Sequence, residues 1–110
     1  MSFCLIDSER FKHNIDIVSN FIEFNKIAIV IKNNAYGHGL LEIAKLASNN
    51  GIKHAVVINC KEANLVKDFF DTVLVLSDTV NEFNSSNIHI AINDIDSIQR
   101  IPRNSKVELK

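Results

Sequence analysis

Ile27-Ala28-Ile29-Val30-Ile31 runs without a polar side chain into Lys32-Asn33-Asn34-Ala35-Tyr36-Gly37-His38-Gly39. A short β-branched run that stops abruptly at polar residues and glycine has the length and composition of a strand. Its lack of apolar/polar alternation is the pattern of a strand buried on both faces of a parallel sheet. Four further short runs follow, and most of the five are continuous in this way: Ala55-Val56-Val57-Ile58, Val73-Leu74-Val75-Leu76, Ile88-His89-Ile90-Ala91-Ile92 and Val107-Glu108-Leu109. Helices must then cover the sheet.

Helical spacing appears where that architecture requires it. Phe11, Ile15, Val18 and Ile22 share one helix face behind Asp7 or Ser8 as N-cap. Leu40, Ile43, Ala44 and Ala47 form a second stripe, which Asn49-Asn50-Gly51 ends. Ala63, Val66 and Phe70 form a third, and Asn93 or Asp94 is placed to cap a short fourth helix holding Ile95 and Ile98 before Pro102. Between Ser77 and Asn87 the spacing predicts at most one helical turn, around Val80 and Phe83. The order is β/α throughout, the signature of an α/β domain with a parallel sheet. A last strand at Val107 to Leu109 with no helix after it leaves such a sheet open, so the chain is expected to be cut short.

Composition narrows the function classes. Twelve Lys and Arg against 13 Asp and Glu leave no basic surplus for nucleic acid or anionic lipid, and neither is expected as a partner. No apolar run approaches the ~20 residues of a membrane span, and no secretory leader is visible, so a cytoplasmic protein is expected. Cys4 and Cys60 form no CxxC pair, which supports neither a disulfide framework nor a zinc site. His13, His54 and His89 are scattered without metal-ligand spacing or a nearby acidic partner, and no metal is expected. Lys61, Glu62, Lys67 and Asp68 look like a solvated helix face.

Chemistry concentrates after the first strand. Two of the three glycines stand in the loop that joins that strand to the second helix. In a parallel α/β fold this loop lies at the C-terminal edge of the sheet, where ligand sites collect. Two readings of Lys32 are open. Its stem can rest on the rim with the ammonium in water, or apolar neighbours can keep the amine neutral so that it attacks a carbonyl and holds a Schiff base. Tyr36 sits between Ala35 and Gly37, in a loop rather than a core element, and its phenol can serve a phosphate. His38 is read as ordering the loop through a hydrogen bond, and Cys60 as a small residue at the same edge.

The segment Ile29-Val30-Ile31-Lys32-Asn33-Asn34-Ala35-Tyr36-Gly37-His38-Gly39 resembles the pyridoxal-phosphate lysine motif of the alanine racemase family, usually V-V-K-A-N-A-Y-G-H-G. It departs chiefly at Asn33, where alanine is typical. The resemblance covers essentially the whole chain. Phe3 to Ile22 is similar to the family's opening strand and first helix, Lys61-Glu62-Ala63 to its E-A signature, and Val73 to Leu76 to its I-L-V-L strand. Ser105 to Lys110 is similar to the strand leading into L-K-x-D-T-G-M.

The resemblance implies the N-terminal portion of a (β/α)8 TIM-type barrel, with about five of the eight strands in residues 1–110 and the β-rich C-terminal domain absent. It implies pyridoxal 5'-phosphate as cofactor, Lys32 as the Schiff-base lysine and one of two acid/bases, and Tyr36 as a phosphate ligand. Lys110 would match a lysine that is carbamylated in some members. Racemisation of L-alanine to D-alanine for peptidoglycan would be the activity of the parent protein, a homodimer. Its second acid/base is a tyrosine of the partner's C-terminal domain, and Tyr36 is the only tyrosine here, so the chain alone is expected to be inactive. A racemase of another amino acid and a non-catalytic pyridoxal-phosphate-binding barrel remain as alternatives.

An open five-strand piece of barrel exposes apolar edges, so the isolated chain should be marginally stable or aggregate. A urea titration should show a shallow, concentration-dependent transition. A steep two-state unfolding curve together with a monomeric elution volume would contradict this.

Overall fold

The computed structural model describes residues 5–77, 86–94, 96, 99 and 105–109. In order these form α1 (Ser8–Ser19), a 3-10 turn (Phe24–Lys26), β1 (Ala28–Val30), a short helical segment α2 (Lys32–Tyr36) and α3 (Leu40–Asn49). There follow β2 (His54–Val57), α4 (Cys60–Val66), a second 3-10 turn (Lys67–Phe69), β3 (Thr72–Val75), β4 (Ile88–Ile92) and β5 (Lys106–Leu109). The strands make one sheet in the order β1-β2-β3-β4-β5, and every neighbouring pair is parallel. This is the arrangement the apolar runs predict, with β1 one residue shorter than its run at each end and β2 and β3 shifted one residue towards the N-terminus. Ile27, Ile31, Ile58 and Leu76 lie just outside the paired residues.

The expectation of strands buried on both faces is corrected. Register sets Ile29, Ala55, Val73 and Ile88 in one row across the sheet, and Val57, Val75 and Ile90 in another. These rows are turned to the helices, and Ala55, Val57, Val73 and Val75 are almost fully buried there. The alternate row, Val30, Val56, Leu74, His89 and Lys106, is only half-buried or exposed. Successive side chains of a strand point to opposite faces, so an unbroken apolar run can still have one dry face and one partly wet one.

The dry face is built with small residues. Ala44, Ala47 and Ala63 have no exposed surface and let α3 and α4 approach the sheet and each other, while Ile43 and Val66 fill the remaining space. The second stripe and its stop are as the sequence predicts. α3 ends at Asn49, the Asn50 side-chain amide donates to Leu46 O at 2.8 Å, and the Ile52 amide donates to Ala47 O at 3.0 Å. In the third stripe Ala63 and Val66 are helical, but the helix gives way to the 3-10 turn and Phe70 enters the core from extended chain.

The first stripe is only half used. Asp7 caps α1 through bonds from the Glu9 and Arg10 amides, at 3.0 and 3.1 Å. Phe11 and Ile15 rest against the core, but Val18 stays exposed and Ile22 falls beyond the helix end at Ser19. Asn93 donates its side-chain amide to Leu76 O at 3.3 Å, which ties the end of β4 to the end of β3. Ile95, Ile98 and Pro102 of the expected fourth helix, Val80 and Phe83 of the expected turn, Cys4 and Lys110 lie outside the described residues. Among those described, no helix is long and apolar enough to cross a membrane, and no group of His, Cys, Asp and Glu is arranged to hold a metal.

Gly51 has φ +87°, and a Cβ there would stand 3.0 Å from the Phe24 ring. Gly51→Ala should therefore lower stability by about 1–2 kcal/mol, the cost of a left-handed alanine, measured as a reduced urea midpoint at low protein concentration.

Candidate functional site

Val30 is the last paired residue of β1, and Ile31 donates its amide to Val56 O at 2.9 Å before the chain leaves the sheet. The chain then enters a left-handed helical turn rather than an irregular loop. Asn33, Asn34, Ala35 and Tyr36 have φ of 54°, 57°, 54° and 56°. Gly37, at φ 90°, continues the left-handed path at the one position where it costs nothing. The Ala35 amide closes the turn on Ile31 O at 2.9 Å, and the Gly37 and Gly39 amides both reach Asn34 O at 3.1 Å.

L-residues avoid this conformation because Cβ crowds the following carbonyl, at roughly 1–2 kcal/mol per residue, and asparagine is the non-glycine residue that tolerates it best. The Asn33-Asn34 pair thus suits the backbone it must adopt. The departure from the family motif at Asn33 has the same explanation: the side chain is exposed, and its backbone lies in the region that favours asparagine over alanine.

Two hydrogen bonds to residues outside the turn hold it, and a third fixes the carboxylate that makes one of them. The Asn34 amide donates to Glu62 Oε2 at 2.8 Å, the Ile58 amide donates to Glu62 Oε1 at 3.0 Å, and Asn34 Oδ1 accepts from the Leu40 amide, the first of α3, at 2.8 Å. Glu62 is itself placed by α4, whose N-cap Asn59 accepts from the Glu62 amide at 2.9 Å. The expectation that Glu62 belongs to a solvated face is therefore corrected: the carboxylate is half-buried and ties the turn after β1 to the turn after β2. Asn59-Cys60-Lys61-Glu62 carries the sequence signal, because asparagine followed three residues later by glutamate is a helix-start pattern. The glutamate of such a pattern usually returns to the cap residue's own amide, whereas here it reaches Ile58 and Asn34.

Lys32 opens the turn at the C-terminal rim of the sheet and is half-buried. Tyr36 closes it and is 60% exposed. Neither the Lys32 amine nor the Tyr36 hydroxyl has a hydrogen bond or ion pair among the described residues. A primary amine and a phenolic donor are thus offered from a single turn with no partner to satisfy them. His38 follows at the surface, its amide bonded to Ala35 O at 3.0 Å, and Cys60 is half-buried at the first turn of α4. An open groove of about 430 Å³ between α1 and β1 is lined by Phe11, Ile31, Ala35 and Tyr36, but Lys32 is not among its walls.

The scattered histidines have partners that the sequence conceals. His54 Nε2 lies 3.0 Å from Asn25 O and its Nδ1 lies 2.7 Å from Thr72 Oγ1. A carbonyl only accepts, so Nε2 donates to Asn25 O, while Nδ1 shares a hydrogen bond with the threonine hydroxyl. The expectation that His89 has no acidic neighbour is corrected: its Nδ1 lies 3.0 Å from Glu108 Oε1 on β5, 19 residues away in sequence.

Comparison with known proteins agrees with this architecture. The family profile described as alanine racemase, N-terminal domain, matches residues 6–110. The alanine racemase of a Nitratiruptor species is 42% identical over 111 aligned residues that take in all of this chain and 32% of that protein. The alanine racemase of Campylobacter jejuni (strain 81-176) is 32% identical over all of this chain and 34% of that protein. This chain therefore spans about a third of the length of these curated relatives. Among solved structures, histidine racemase from Leuconostoc mesenteroides matches with TM-score 0.70 and 25% identity, over 84% of this chain and 27% of that one. Alanine racemase from Corynebacterium glutamicum shares the fold with TM-score 0.73 at 20% identity, over 96% of this chain and 37% of its own.

If the left-handed turn selects the residue at position 33, Asn33→Ala should lower stability by about 1 kcal/mol and Asn33→Gly should not, as read from urea midpoints. Equal midpoints for Asn33→Ala and the unsubstituted chain would show that the turn places no such demand.

Proposed function

The chain belongs to the family of alanine racemase N-terminal domains, and on that footing we propose that the protein interconverts L- and D-alanine with pyridoxal 5'-phosphate held at Lys32. One observation carries this: an amine and a phenol without partners among the described residues leave the same turn at the C-terminal rim of a parallel sheet, the edge at which such folds bind ligands. The donor set suits the cofactor, with an amine for its aldehyde carbon and a hydroxyl for its phosphate. Alanine is preferred as substrate because the 42% identity to an alanine racemase extends over the whole chain.

When bound, the cofactor supplies an electron sink that makes the Cα proton of an amino acid acidic. Lys32 holds the cofactor and afterwards takes or returns that proton on one side of Cα. Tyr36 donates its hydroxyl to a phosphate oxygen. Racemisation also requires an acid/base on the opposite side of Cα. Tyr36 is the only tyrosine here and is engaged with phosphate, so we assign that role to a residue outside these 110, in a homodimer. Residues 1–110 are in this reading part of the barrel domain, and Lys110 is the candidate for carbamylation. A cytoplasmic enzyme with a small amino acid as its substrate, supplying D-alanine for peptidoglycan, fits the near-neutral charge.

Pyridoxal phosphate added to the chain, followed by borohydride reduction and peptide mass mapping, should modify Lys32 selectively, and Lys32→Ala should abolish the modification. Tyr36→Phe should raise the half-saturating cofactor concentration about tenfold, as expected for loss of one hydrogen bond to a charged group. Modification spread over the other lysines, or undiminished in Lys32→Ala, would overturn the assignment.

A further inference from the structure

We propose that Glu62 is a positioning residue for this site: its carboxylate holds the left-handed turn that presents Lys32 and Tyr36. Its chemical consequence rests on the reading of Lys32 as the cofactor lysine, whereas the clamp itself rests on hydrogen bonds alone. Four successive left-handed residues precede the first glycine of the segment, so something outside the turn must compensate for an unfavourable backbone. Both oxygens of Glu62 are engaged, one by the Asn34 amide at 2.8 Å and one by the Ile58 amide at 3.0 Å. A glutamate that merely served the start of α4 would need only the second. The first spans 28 residues of sequence and ends on the middle peptide of the turn.

Asn34 passes the constraint onward. Its amide is held by Glu62, its side-chain oxygen holds the first amide of α3, and its carbonyl accepts from Gly37 and Gly39. Lys32 stands two residues before Asn34 and Tyr36 two after, so fixing the Asn34 peptide fixes the origin of both side chains. Bonds to an ionised acceptor are the stronger kind. Glutamate at this position therefore sets where the amine emerges, without touching what the amine binds.

The test compares the chain with Glu62→Ala, Glu62→Gln and Val66→Ala, the last a core truncation on the same helix that controls for loss of stability, each at a concentration where it stays soluble and folded. Residues with positive φ give strong intraresidue amide-to-Hα NOEs, so the turn is read directly by NMR at Asn33, Asn34 and Ala35. Glu62→Ala should lose this pattern while NOEs between β1 and β2 persist, and borohydride trapping of pyridoxal phosphate at Lys32 should fall about tenfold. Glu62→Gln keeps one acceptor oxygen and the side-chain length, and should fall between; it decides the matter if the alanine variant does not fold. Val66→Ala should keep both signals. A left-handed pattern that survives in folded Glu62→Ala, one that is undiminished in Glu62→Gln, or an equal loss of trapping in Val66→Ala would overturn the clamp. Failure of the unsubstituted chain to trap at Lys32 would instead strike the cofactor reading and leave the NOE comparison to decide the clamp.

Discussion

Four consecutive non-glycine residues in left-handed conformation are the constraint around which the rest of the site is arranged. Such a run is disfavoured at every residue, and it exists only because bonds from three directions close on it. Ile31 O anchors its start, Glu62 its middle, and the first amide of α3 its asparagine side chain. The turn accomplishes two things. It reverses the chain into α3 within a few residues, and it brings an amine and a phenol out of one short segment. The alanines of α3 and α4 contribute from below, since their close approach to the sheet brings Glu62 within reach of Asn34.

Much of the fold is legible from the chain because it depends on neighbours in sequence. The five apolar runs become five strands in sequence order, Asp7 is the cap of the two candidates, Asp7 and Ser8, and Asn49-Asn50-Gly51 ends its helix. Local spacing goes wrong where the decision is tertiary. An all-apolar run such as Val73 to Leu76 cannot show which of its faces will be covered, so one-sided burial is invisible until the helices are placed. Ile22 keeps the helical period and yet falls outside α1, because a periodic residue beyond the last turn has no helix to belong to.

The site divides along the same line. Lys32 and Tyr36 stand out through their motif, and Glu62 through a helix-start pattern and the E-A signature, but its tie to Asn34 is hidden, because that partner is 28 residues distant and on another element. His54 and His89 are concealed in the same way, each paired with a residue on the next strand, 18 and 19 positions along. In a parallel sheet neighbouring strands are separated by a whole crossover, so cross-strand chemistry is always remote in sequence. The left-handed turn itself leaves a faint trace: two adjacent asparagines ahead of a glycine are the residues best suited to positive φ.

Strand order also bears on how the molecule comes into being. Among the described strands, each of β2 to β5 pairs with the one made just before it. Each such contact still spans a crossover, but it closes a shorter loop than any other strand order would allow, which suits stepwise assembly that begins while the chain is still being synthesised. The bond between Asn34 and Glu62 needs nothing beyond α4, so the rim that bears Lys32 can be set before β3 has emerged. Assembly of the chemically important end is thereby one of the earliest events available to this chain.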